Sequence, residues 1–353
     1  MDNYGIDSHK LSFHPARLAE YLEKKDVYPI YIEIAPAGTC NHRCIFCALD
    51  YLKYRPHILK TRVIKKFICD IGKKGIKSVM YAGEGEPLLH PDIAEIVNFT
   101  KKQKIDVAIT TNGVLLNKNI LKQLLKNLSW LRVSINASNP KAYSQIHRTN
   151  ARDFTTVISN LKEAVKIKRK KCSKCTLGAQ FLLLHNNYEQ AQPLARLLKN
   201  IGIDYLIIKP YSQHPLSLNR LKDKLDYKRL LRLEQKLKKL SDKEFKVIFR
   251  RHTMDKLNQQ KPYKRCLGFP FWAYLDSQGN LYACSSFLGD KRFSYGNIYK
   301  ESFEKIWKGK ARKRIKKMLA GWNTLNCREV CRLDEINRHL WKITHPPAHV
   351  NFI

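Results

Sequence analysis

Three cysteines, Cys40, Cys44 and Cys47, are spaced C-x3-C-x2-C directly after the β-branched run Ile30-Tyr31-Ile32-Glu33-Ile34. A strand that ends in a loop with three thiols can offer all of them to one iron–sulfur cluster. A four-iron cube on three thiolates keeps one iron without a protein ligand. That iron can take a substrate or cofactor, as open coordination positions do in catalytic metal centres. A structural or electron-carrying cluster normally closes its fourth position with cysteine. The alternative is a zinc site, for which His42 is the nearby fourth ligand.

A second set lies far along the chain: Cys266-x12-Gly279-x4-Cys284, then Cys327-x3-Cys331. Four thiols suffice for one fully ligated four-iron cluster, or for one zinc. Of the ten cysteines, Cys69, Cys172 and Cys175 remain. Cys69 falls in a helical pattern and reads as a core residue. Cys172-Ser173-Lys174-Cys175 sits in a basic stretch whose lysines should lower the thiol pKa values. No second half of a metal site accompanies it, and it reads as a surface feature.

The loop Cys40, Cys44, Phe46, Cys47 resembles the C-x3-C-x-Φ-C motif of the radical S-adenosylmethionine (radical SAM) enzymes. The resemblance implies that SAM chelates the open iron, that the cluster reduces its sulfonium, and that a 5′-deoxyadenosyl radical abstracts a substrate hydrogen. Tyr81-Ala82-Gly83-Glu84-Gly85-Glu86-Pro87 resembles the family's G-G-E-P element, with Glu84 in place of the first glycine, and implies SAM contacts at Gly85 and Glu86. Carried over in the same way, Ser134 and Asn136 would meet the SAM ribose and carboxylate, Arg148 its carboxylate, and Phe46 the cofactor. The Cys266–Cys331 set resembles the SPASM domain in its shortened, twitch-like form. This implies one auxiliary [4Fe–4S] cluster on Cys266, Cys284, Cys327 and Cys331.

The elements that must position these residues follow from periodicity. Apolar strand-like runs lie at 30–36, 77–82, 106–111, 130–136, 177–184 and 203–209. Helical patterns lie between them at 61–74, 92–103, 118–128, 154–171 and 188–200. Alternation of this kind predicts parallel β/α units, with active residues at the C-terminal strand ends. The resemblance implies the α/β partial TIM barrel (β/α)6. On this reading residues 1–29 are a polar lead-in, 30–212 the barrel, 213–262 a helical connector, 263–343 the auxiliary domain and 344–353 a tail that packs. Within 263–343, two aromatic-rich runs across Ser277–Asn280 read as a hairpin. His185, Asn186, Lys209 and Tyr211 follow strand ends and are candidates for substrate contact.

The chain has 353 residues and a net charge of +36 from 66 basic and 30 acidic residues. The runs at 166–171, 222–246 and 305–317 read mainly as solvated helix faces. Such an excess also suits an anionic partner. No apolar run approaches the roughly 18 residues of a membrane span. The lead-in has no apolar signal core, and ten cysteines without one point to a reducing, cytoplasmic setting. The expected activity is oxidoreductase-type radical chemistry on a small molecule, an anionic one included: a sugar or nucleotide-linked sugar, dehydrogenated or epimerised. A flavodoxin or ferredoxin would donate the electron. A peptide or protein, or an RNA, is the alternative substrate, and a non-enzymatic iron–sulfur or zinc protein is the alternative class.

Overall fold

The structure is a computed structural model that describes residues 4–221 and 227–352. Residues 222–226, which begin one of the basic runs and fall in the expected connector, lie outside the described residues.

After α1 (Pro15–Leu22), strands and helices alternate. They are β1 (Tyr31–Ile34), α2 (Thr61–Lys73), β2 (Ser78–Tyr81), α3 (Ile93–Lys102), β3 (Asp106–Thr111), α4 (Lys118–Leu124) and β4 (Trp130–Ser134). Then come α5 (Pro140–His147), α6 (Arg152–Lys170), β5 (Thr176–Leu183), α7 (Tyr188–Ile201) and β6 (Tyr205–Pro210). Strands β1 to β6 pair in parallel in chain order, as a partial TIM barrel requires. Side-chain alternation gives each strand two jobs. Ile32, Ile34, Val79, Tyr81, Leu131 and Val133 point outward and are buried. Tyr31, Glu33, Met80, Thr110, Arg132, Gln180 and Lys209 point inward and line the lumen.

Two expectations about the architecture are corrected. The connector 213–262 is not only helical. After α8 (Tyr227–Lys238) it supplies a seventh strand, β7 (Lys246–Phe249), parallel to β6, and then the short α9 (Arg251–Asp255). The C-terminal auxiliary region is also part of the barrel sheet, which its sequence did not indicate. Its hairpin, β8 (Trp272–Leu275) and β9 (Asn280–Tyr282), joins the barrel because β8 pairs in parallel with β1, and β10 (Ser294–Asn297) continues the sheet beyond β9. Among the described residues ten strands form one sheet. The tail does not pack. Helix α12 (Asp334–Thr344) is anchored by Leu340, but residues 344–352 are exposed, with Phe352 84% accessible.

The lead-in is instead the terminal segment that packs. Tyr4 packs at a tilt against Tyr205 with ring centroids 5.0 Å apart, and Asp7 accepts from Arg250 and from the backbone of α9. Further on, α10 (Phe303–Lys308) and α11 (Lys310–Ala320) clamp residues 26–28. Trp307 donates its indole N–H to the Val27 carbonyl, and Arg312 pairs with Asp26 across the Trp307 ring. Among the described residues no helix is long and apolar enough to cross a membrane.

Candidate active site

The cluster loop leaves β1 and is held by backbone contacts from three sides. Gly38 N–H bonds the His57 carbonyl, Arg43 and Ile45 bond the carbonyls of His147 and Ile146, and Glu86 N–H bonds the Thr39 carbonyl. Within the loop, Cys47 N–H donates to the Cys44 carbonyl. Burial pushes all three thiols up, Cys40 to about 11. Thiols held protonated in this way would release protons on ligating a metal, so loading and proton release would be coupled.

Gly85 explains why the second strand end needs glycine. A Cβ there would lie 2.3 Å from the carbonyl oxygens of both Ala37 and Thr39. The two loops therefore meet backbone to backbone, and no side chain can be accommodated without moving the cluster loop. Gly85→Ala should lower iron incorporation at the Cys40–Cys47 site and reduce SAM cleavage by at least roughly tenfold, since an overpacking strain of about 1–3 kcal/mol falls on that loop. Iron content and 5′-deoxyadenosine yield, compared with the parent, check this.

The carboxylate of Glu86 is committed to the chain itself. It is buried and accepts from Thr111 Oγ1 at 2.6 Å, Asn112 N at 2.8 Å and Leu88 N at 3.0 Å. In this structure the carboxylate forms a clasp between the β2 and β3 ends. Asn112 extends the clasp by donating to Asn41 Oδ1 in the cluster loop at 2.6 Å. Glu84, where the family pattern has glycine, accepts from Ser277 N–H at 2.8 Å and so ties the β2 end to the auxiliary hairpin. Burial pushes its carboxyl up to about 7.

Asn136 is likewise committed. Its Oδ1 accepts from Leu182 N at 2.6 Å, and its N–H points at His147 Nε2, 3.3 Å away. An N–H donor on Nε2 places the His147 proton on Nδ1, which lies 3.3 Å from Cys44 Sγ. His147 is therefore a hydrogen-bond donor to the Cys44 thiol, the kind of contact that tunes a sulfur where it ligates iron. Burial keeps this imidazole neutral by holding its pKa well below the usual range. Sequence reading passed it over. Its signal was the i, i+4 pair Tyr143 and His147 on α5, whose rings stack at 4.1 Å.

Ser134 accepts from Gln180 Nε2 at 2.7 Å and lines a cavity together with Phe46, Lys209 and Arg328. Arg148 is exposed at the left-handed end of α5 and donates to Asn219. Of the substrate candidates, Lys209 faces the lumen, Tyr211 is buried against Gln213, and His185 and Asn186 face solvent. His42, Cys44 and His147 are the one group among the described residues whose three ligand atoms all lie within 4.8 Å of one another.

Cys266, Cys284, Cys327 and Cys331 line a single cavity walled by Phe269, Phe287, Phe293 and Trp322. Burial raises their thiols, Cys266 to about 12 and Cys331 to about 11, and Cys284 also feels the other three electrostatically. Four convergent thiols in an apolar cage fit a fully ligated iron–sulfur cluster. Among the leftover cysteines, Cys69 is half-buried in α2. Cys172 is exposed while Cys175 is buried, so the pair does not act together. Burial outweighs the basic neighbours and pushes Cys175 up to about 12, opposite to the expected direction.

Comparisons with known proteins bear on the same regions. The model of the radical SAM superfamily matches residues 34–198. The SPASM model, an iron–sulfur cluster-binding domain, matches residues 266–333. A probable GTP 3′,8-cyclase of Saccharolobus solfataricus is 29% identical over 229 residues, covering 63% of this chain and 68% of the relative. One from Methanocaldococcus jannaschii is 27% identical over 208 residues, 55% of this chain and 67% of the relative. SuiB of Streptococcus suis bound to S-adenosylmethionine superposes with a TM-score of 0.65 at 20% identity, over 85% of this chain and 70% of SuiB. Native anSMEcpe with bound AdoMet gives 0.58 at 17% identity, over 88% of each chain. At these identities the two structures speak for the fold.

Proposed function

The chain belongs to the radical SAM superfamily and carries a C-terminal SPASM iron–sulfur domain, and on that premise we propose that it abstracts a hydrogen from a small molecule held in the barrel lumen. The observation that carries this is the cavity. It measures about 720 Å³ and is lined by inward residues of β1 to β6, by Ala48 and Leu49 of the cluster loop, and by Trp272 and Tyr274 of the hairpin. That volume is in the range of small-molecule sites. It reaches from the cluster loop to the lead-in, so a bound molecule would lie beside the SAM-binding strand ends.

The cofactors are a [4Fe–4S] cluster, SAM and an auxiliary iron–sulfur cluster. When bound they supply an electron, the hydrogen-abstracting group and an electron acceptor. The residues assigned to hold them are Cys40, Cys44 and Cys47 for the catalytic cluster and Cys266, Cys284, Cys327 and Cys331 for the auxiliary one. The chain's own contribution is placement. The Gly85 and Glu86 clasp fixes the cluster loop, Ser134 and Phe46 shape the SAM side, and the apolar hairpin keeps water from the lumen. Positioning of this kind supplies much of the rate in such reactions.

A nucleotide or sugar nucleotide suits the lumen, and the curated relatives named as GTP cyclases favour a nucleotide. A dehydrogenation would use the auxiliary cluster as oxidant. A peptide is the second reading, favoured by the fold shared with SuiB, which has been solved bound to its precursor peptide SuiA. The test is substrate-stimulated formation of 5′-deoxyadenosine by the reconstituted, reduced enzyme. Low-mass metabolite fractions should stimulate it above the uncoupled rate. Stimulation by peptide fractions alone would overturn the small-molecule reading.

A further inference from the structure

The lumen is charged, and its charges do not balance. Inward positions of otherwise apolar strands carry Glu33 on β1, Arg132 on β4 and Lys209 on β6, while Arg250 follows β7. Arg328 and Arg332 enter from the segment that joins the last two auxiliary cysteines to α12. All six line the two contiguous cavities that share Arg132, Gln180 and Lys209.

Two of the five cations are matched. Arg332 pairs with buried Glu33 at 2.7 Å, and Arg250 pairs with Asp7 of the lead-in at 3.3 Å. Of the other acids that line the cavities, Glu335 and Asp334 are taken by Lys256, and Glu329 is exposed at the edge of the second. The remaining three have neutral partners. Arg132 donates to Tyr205 Oη at 3.3 Å and lies 4.4 Å above the Trp130 ring. Lys209 donates to Gln180 Oε1 at 2.7 Å. Arg328 donates to the hydroxyl and carbonyl of Ser212 at 3.0 and 2.9 Å. Among the described residues none of these three has a carboxylate within ion-pair distance.

Half-buried cations without a carboxylate partner are unfavourable unless something compensates them. Burial and the neighbouring guanidinium groups already hold the Lys209 ammonium well below its usual range, with Glu33 pulling it back up. The arrangement is also built rather than incidental. Gly178 on β5 leaves room for the Tyr205 ring, which a Cβ would meet at 2.1 Å, and Tyr205 in turn holds Arg132 in the lumen.

We propose that Arg132, Lys209 and Arg328 form the anchoring subsite for a multivalent anionic group of the substrate, a phosphate ester or a polycarboxylate. The three cations come from β4, β6 and the auxiliary loop, so a bound anion would also link the barrel to the auxiliary domain. Guanidinium groups offer paired N–H donors suited to planar carboxylate and to phosphate oxygens, and the ammonium adds a point charge. This inference rests on the reading of the lumen as the substrate chamber.

The test uses the anaerobically reconstituted holoenzyme and arginine modification by phenylglyoxal, mapped by mass spectrometry. The probes are pyrophosphate and citrate, at fixed ionic strength. We expect one or both to protect Arg132 and Arg328 at least fivefold while the exposed Arg62 and Arg314 react as before. Protection by pyrophosphate alone assigns the subsite to phosphate, and protection by citrate alone assigns it to carboxylate. Calorimetry should give one site per chain, weakened at least tenfold in Lys209→Gln, with SAM binding retained. Equal protection of lumen and surface arginines, or affinity unchanged in Lys209→Gln, would overturn the proposal and reduce the binding to the general basic surface. The protection experiment needs no variant, so a Lys209→Gln protein that fails to fold leaves it decisive. Its failure would leave hydrogen abstraction from a small molecule standing, because stimulation of 5′-deoxyadenosine by low-mass fractions is read separately.

Discussion

Replacing Cys40, Cys44 and Cys47 together by alanine is expected to abolish reductive SAM cleavage and to halve the iron. From two four-iron clusters the parent should hold about eight irons per chain, and the triple variant about four. The physical reason is locality. The three thiols lie on one loop pinned by Gly85 and Glu86, whereas the auxiliary four line a separate cavity walled by Phe287, Phe293 and Trp322. Loss of one set therefore leaves the other with all its ligands. Iron and sulfide analysis together with 5′-deoxyadenosine yield checks both halves. A triple variant that loses all its iron would contradict independent sites.

Replacing Cys284 and Cys331 together by serine is expected to separate substrate turnover from SAM cleavage. Turnover should fall roughly a hundredfold or more, equivalent to about 2.7 kcal/mol of barrier. Uncoupled SAM cleavage should stay within a few-fold of the parent, since the cluster loop is untouched. The C-terminal region does not depend on a cluster alone for its fold. Phe287 and Phe293 stack at 4.3 Å with Trp322 at their edge, Trp307 and Phe303 are buried, and β8 is paired into the barrel. Limited proteolysis should then find new cuts near residues 324–333, where the metal holds loops, and not throughout the region beyond residue 260. Full turnover in the double variant would remove the auxiliary cluster from the mechanism.

What could be read from the sequence follows from what determines each feature. The six strands and five of the helices were legible because strands covered on both faces are continuous apolar runs, and helices covering them repeat at 3.6 residues. Strand β7 was not, because Lys246-Val247-Ile248-Phe249 is short and follows a lysine-rich helix. Helix α5 was missed although Asn139-Pro140 marks its start, with Asn139 Oδ1 accepting from Ala142 N at 2.9 Å. Both sets of thiols were legible because ligand spacing is local. The fate of a polar side chain is not local. Glu86 and Asn136 sit at the expected strand ends, but whether their side chains are free depends on partners on β3 and β5. The charged lumen had a further signal beside Lys209: single ionic residues, Glu33 and Arg132, at inward positions of apolar strands.

The reductive cleavage assay on the parent enzyme tests the central claim most directly. After anaerobic reconstitution, with SAM and a low-potential reductant, 5′-deoxyadenosine and methionine should form in equal amounts and only when the reductant is present. A protein carrying about eight irons that forms neither product, or one that binds zinc at both thiol sets and no iron, would contradict the account.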